Sequence, residues 1–235
     1  MKKYIGTKQI EAEPMTMGEA YERGLLKAGR VPGEAHKDDA GYHVKYNDGY
    51  ESWSPAKPFE EAYRVADTPL ERMCIEGEKL TIRLEKLQSF IGSEKYLSLD
   101  NETKAMLVSQ ESLMMQYQHC LNMRYAKMEN GVVNFDNLPF GTALNLLRAG
   151  FCVRRRGWNG KGLFVVKQVP AHITEEIIPK MQSLPQSAKD IIMARENKYI
   201  DYTNQMLIVN PDGRADSWVP SSSDVFAEDW EIALD

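Results

Sequence analysis

The chain has little cysteine, few histidines and no long apolar run, and each shortage removes a class of chemistry. Its three cysteines, Cys74, Cys120 and Cys152, are widely spaced. An odd, scattered set without a Cys-x-x-Cys pair builds no disulfide framework and fits a reducing cytoplasm. His36, His43, His119 and His172 share no ligand spacing, so no metal site is expected. There is no Gly-x-Ser-x-Gly motif, no phosphate-binding P-loop and no Rossmann glycine pattern, so nothing local indicates a catalytic residue and no cofactor is expected. No apolar run approaches the roughly 18 residues of a membrane span. The N-terminal MKKYIGTKQI has lysines but no apolar segment behind them, unlike a signal peptide. A surplus of cations is missing too: 29 Lys and Arg stand against 34 Asp and Glu, a net charge of −5. That balance argues against a general binder of nucleic-acid polymers, so a phosphate site would have to be a local basic patch.

What remains is a globular composition over 235 residues, 43% hydrophobic and 27% charged, enough for one or two domains. The pattern predicts an α+β chain in three stretches. Residues 1–66 read as a small β-rich piece. Tyr4, Ile5 and Thr7 begin a strand, Thr16 and Glu19 have capping-box spacing for a helix through Ala28, and Tyr42–Tyr46 alternates as a strand. Asn47-Asp48-Gly49 turns that strand back into Tyr50–Trp53, and Pro58–Arg64 reads as a short helix.

Residues 67–130 read as an antiparallel helical hairpin. Thr68 caps, Pro69 takes the first helical position and Glu71 completes a capping box. Met73, Leu80, Leu84, Leu87 and Ile91 then fall at three- and four-residue spacings. Gly92-Ser93 breaks this helix, and Asp100 caps a second one with Leu107, Met114, Leu121 and Met128 every seventh residue. One hairpin exposes more apolar face than is stable alone, so it is expected to pack on another copy.

Residues 131–235 read as a compact α+β domain with antiparallel strands: a helix over Pro139–Ala149, a strand over Phe151–Arg156, its partner over Leu163–Val169, an irregular segment, a hairpin about Asn210-Pro211-Asp212-Gly213 and a last strand over Asp229–Ala233. Within it lies FCVRRRGWNGKG, Phe151–Gly162. Arginines suit phosphate oxygens, and the flat indole of Trp158 suits a base or ribose. Asn159 both donates and accepts, and Gly157, Gly160 and Gly162 let the backbone turn and approach a ligand. The same residues also describe a plain basic β-hairpin.

The C-terminal third resembles a phage family, the second type of Thoeris anti-defence protein, in PFGTALNLLRAGFCVRRRGWNGKG (139–162) and NPDGRADSWVPSSSDVFAEDWEI (210–232). The N-terminal half resembles the first type in YIGTK (4–8), GYESWSP (49–55) and the EAYR that follows, with a hairpin like that of a phage anti-CBASS protein. The resemblances imply a natural fusion of two signal sponges, each binding nucleotide second messengers without degrading them. The implied ligands are glycocyclic ADP-ribose isomers and cyclic di- or trinucleotides, and the implied place of action is the cytoplasm of an infected bacterium. They also imply homo-oligomers, here through the hairpin and the second-module interfaces, with neither membrane nor nucleic-acid polymer as partner. The rival readings are an enzyme that hydrolyses the same signals and a phage nucleic-acid accessory protein using Arg154–Arg156.

A pocket for a cyclic ADP-ribose needs cations or amides, hydroxyl partners and a stacking face. In the second module Trp158, Asn159, Gly160, Lys161, Arg156, Trp218, Ser222, Ser223 and Asp224 are the candidates. Asp224 repels phosphate, so it suits ribose hydroxyls or helix capping, and Trp230 and Asp229 read as structural. In the first module the candidates are Trp53, Lys86, Phe90 and Arg124. Trp53 is equally suited to the core of the small sheet, and the other three to solvated or seam positions.

Overall fold

A computed structural model describes residues 8–131 and 133–234. The expected strand at Tyr4–Thr7 lies outside that range. The architecture is α+β, and contacts divide the chain within one helix, between Lys79 and Leu80.

The first unit carries a three-stranded antiparallel sheet in the order β1 (Ile10–Thr16), β2 (Ala40–Tyr46), β3 (Glu51–Pro55). Pro14 sits inside β1, opposite Tyr42. Proline cannot donate to a ladder, so such a strand must lie at a sheet edge, as β1 does. Thr16 and Glu19 make the full capping box for α1 (Met17–Glu22). This helix ends earlier than Gly29, because Gly24 already takes the left-handed conformation at φ +73°. Met15, Met17, Ala20 and Trp53 are buried together, and the Trp53 indole donates to the Met15 carbonyl at 2.9 Å. A short helix α2 (Ala56–Ala62) follows, and Phe59 stacks on Tyr42 with centroids 4.1 Å apart.

Helix α3 (Pro69–Ile91) opens with the Thr68–Glu71 capping box and crosses the division between units. After the single turn α4 (Glu94–Leu97), helix α5 (Asn101–Asn130) begins at Asp100, whose carboxylate accepts from the Thr103 amide at 2.8 Å. Hydrogen bonds Thr81–Gln118 and Gln88–Met115 run in antiparallel order along the two helices. Leu121 is buried, yet Met106, Leu113 and Met128 stay more than half exposed. A shallow groove of about 660 Å³ follows this face, with Met106, Leu113, Met114 and Tyr117 in its wall.

The C-terminal sheet has five antiparallel strands in the order β10 (Trp230–Ile232), β4 (Val153–Arg155), β5 (Phe164–Gln168), β8 (Gln205–Val209), β9 (Ala215–Trp218). Helix α6 (Phe140–Arg148) feeds β4 (Val153–Arg155), which turns through the glycine loop into β5 (Phe164–Gln168). The 174–197 stretch is framed by a two-stranded sheet, β6 (Ala171–Ile173) with β7 (Ile200–Tyr202), and contains α7 (Gln186–Met193). β8 (Gln205–Val209) and β9 (Ala215–Trp218) form the Asn-Pro-Asp-Gly hairpin, then the single turn α8 (Ser222–Val225) leads to β10 (Trp230–Ile232). Leu138, Ala143, Leu147, Val153, Val165 and Trp230 form the core, each at 1% exposure or less. Burial of such side chains contributes roughly 1.5–3 kcal/mol each.

Candidate functional site

The glycine loop owes its shape to two carboxylates that come from far along the chain. Asp229 accepts from the Gly157 amide at 2.8 Å and from Arg155 Nε at 2.8 Å. A Cβ on Gly157 would stand 2.6 Å from that carboxylate oxygen, so only glycine allows the approach. Gly162 closes the loop at φ +80°. Between them Asn159 and Lys161 are exposed, and Trp158 is half-buried.

Trp158 turns inward onto two other indoles. Its ring lies 5.5 Å from Trp230 and 6.2 Å from Trp218, and Trp218 lies 6.1 Å from Trp230, all edge to face. Trp230 is fully buried and donates to the Asp224 carbonyl at 3.1 Å. Its partner is therefore the turn at Asp224. The loop meets here the strand end and the serine turn, whose Asp224 lies 66 residues further along the chain than Trp158. The turn's sequence signal is Ser221 three residues before Asp224, which the structure forms as a capping box.

Asp224 is buried, and its four acceptor positions are all taken. Oδ1 accepts from Arg155 at 2.9 Å and from the Trp158 indole at 3.2 Å; Oδ2 accepts from the Ser221 amide at 2.9 Å and the Ser221 hydroxyl at 2.6 Å. Burial pushes this carboxyl up, but the bonds from Ser221, Arg155 and Trp158 outweigh it and hold it below the ordinary aspartate range. Asp229 is held low in the same way, burial being outweighed by Arg155 and the Gly157 amide. Arg155 is raised further above its already high value, first by its bond to Asp229.

The arginine run is not an open basic patch. Arg154 pairs with Glu231 at 2.6 Å, Arg155 with Asp224 and Asp229, and Arg156 with Asp136 at 3.5 Å. Three cations thus face four carboxylates. Arg156 also donates to the Asn137 side-chain oxygen, on a residue held in the left-handed region at φ 55°. Strand alternation suggests Arg154 and Arg156 on one face, but β4 ends at Arg155 and Arg156 leaves the sheet. Ser222 and Ser223 are exposed, and the Ser223 carbonyl accepts from Arg155 at 3.2 Å.

The first-module candidates lie on the small sheet, α3 and α5. Trp53 belongs to the core of the small sheet. Lys86 and the half-buried Phe90 stand one turn apart on α3, and Arg124 is exposed on α5. Among the described residues no group of three or more His, Cys, Asp and Glu side chains is placed to hold a metal, and no helix is long and apolar enough to cross a membrane.

Two families match the chain. Residues 138–233 match the Thoeris anti-defense 2-like domain, and residues 67–127 match Sequestin. The chain is also 34% identical over 98 residues to Thoeris anti-defense 2 of Bacillus phage SP01, an overlap covering 40% of this chain and 93% of that protein. Two domains known as separate families are thus joined in one polypeptide.

Proposed function

The chain belongs, through residues 138–233, to the Thoeris anti-defense 2 family, and on that premise we propose that it is a sponge that binds glycocyclic ADP-ribose isomers and keeps them intact. The observation that carries this reading is the meeting of the Trp158 loop with Trp218 and the serine turn. Indole surface there suits adenine, and Asn159, Ser222 and Ser223 suit ribose hydroxyls. The pyrophosphate falls to Lys161, to the outer guanidinium of Arg156 and to the amide of Gly160, because Arg155 is committed elsewhere. The pairing of Arg154 and Arg155 also counts against a nucleic-acid accessory role.

By the same reading, the hairpin of residues 67–130 with the 1–66 piece forms a second, first-type module. Lys86, Phe90 and Arg124 serve it, while Trp53 packs in the core of the small sheet, and cyclic di- or trinucleotides join its ligands, so that both Thoeris and CBASS effectors go without signal. The exposed apolar face of α5 seats another copy of the chain, and the protein works in the cytoplasm of the infected host. The test is to incubate the full chain with glycocyclic ADP-ribose, denature it by heat, and chromatograph the supernatant. Recovery of intact ligand is the expected result. A smaller product would establish the hydrolase instead.

A further inference from the structure

From the hydrogen bonds around Asp224 we infer that Asp224 and Arg155 are positioning residues of the Trp158 site: they hold the indole and the loop in place and do not touch the ligand. This inference rests on the sponge reading above.

A carboxylate offers about four acceptor positions. Asp224 has spent them on Arg155, Trp158 and both donors of Ser221. No lone pair is left for a ribose hydroxyl, and the negative charge excludes phosphate. What the carboxylate does is fix the Trp158 indole by its one polar atom. An edge-to-face cluster alone lets a ring slide, whereas a hydrogen bond at Nε1 sets its rotation.

Arg155 completes the arrangement. Its guanidinium binds Asp224 on one side and Asp229 on the other, and Asp229 holds the Gly157 amide next to Trp158 in sequence. The side chain is 18% exposed. One cation therefore fixes both ends of the loop's first turn, the backbone through Asp229 and the indole through Asp224. A guanidinium does this because its fork reaches two carboxylates at once, which an ammonium on a flexible stem does not match. The middle arginine of the run is thereby assigned to architecture. Selectivity at this site falls to the ring stack and the exposed loop, with Lys161 and Arg156 as the cations that can still move.

The test uses the full chain in three forms: wild type, Asp224→Asn and Arg155→Met. The first readout is the near-ultraviolet circular dichroism of the ligand-free protein, in which three indoles packed edge to face give a coupled signal. The second is calorimetric affinity for glycocyclic ADP-ribose. Both variants are expected to lose the coupled signal before any ligand is added and to bind on the order of tenfold to a hundredfold more weakly, as misplacement of a binding group does. Weakened binding with a wild-type signal in the free protein overturns the inference, because Asp224 would then touch the ligand. A lost signal with unchanged affinity overturns it as well. Should Asp224→Asn unfold, Arg155→Met leaves the capping box of α8 in place and reads the same two quantities. If the wild type itself binds no glycocyclic ADP-ribose while the variants lose the signal, the sponge reading fails and the ligand half of the inference with it, but the holding of the indole stands.

Discussion

Trp158 and Trp230 belong to one cluster and play different parts in it. Trp230 is sealed, with its indole bonded to backbone, so Trp230→Ala should cost about 3–5 kcal/mol of stability, read as a fall in the denaturant midpoint. Trp158 keeps part of its surface open. Trp158→Ala should weaken glycocyclic ADP-ribose binding by roughly tenfold to a hundredfold, since stacking on a base contributes about 1–3 kcal/mol. The two aspartates give the domain an acid limit. Their folded carboxyls are held below the ordinary value, so their stabilising contribution is complete above the unfolded value of about 3.9 and is lost as pH falls through the lower folded values. The denaturant midpoint should therefore stay level from neutral pH to about 5 and drop only below about 4, a drop that Asp224→Asn should blunt. The sequence singled out Trp158 as a candidate but left the arginines open. Their partners Glu231, Asp229 and Asp224 lie 69 to 77 residues away, and no local pattern connects them.

At the scale of elements, the helical hairpin was readable because its signals are local. Thr68-Pro69-Leu70-Glu71 and Asp100 mark the starts of both helices, Gly92 the break and Gly131 the end. β1 was not readable, because Pro14 argues against a strand unless the strand lies at an edge, and edge position is a tertiary fact. The 171–202 stretch looked irregular since β6 and β7 have three residues each and pair across the helix between them. The apolar face of α5 supports the prediction of self-association. Replacing Met106 and Leu113 by glutamate places charges in the groove, and sedimentation should then report a smaller particle than the wild type with helix content retained. An unchanged particle size would contradict self-association through this face.

On the scale of the whole molecule, the chain joins a stretch that matches Sequestin to a Thoeris anti-defense 2-like domain. If each keeps its own ligand site, Trp158→Ala should weaken glycocyclic ADP-ribose binding at the C-terminal site by the same roughly tenfold to a hundredfold and leave any cyclic-oligonucleotide binding by the hairpin module unchanged. Calorimetry with both ligand classes on that variant decides it, and joint loss in a folded protein contradicts two independent modules. The central claim is that the bound signal is hidden and not destroyed. The most direct test is release: load the full chain with glycocyclic ADP-ribose, remove free ligand, denature by heat, and chromatograph what is set free. The unaltered cyclic molecule is expected, in amounts matching the occupied sites. A linear or smaller nucleotide in its place would contradict the claim.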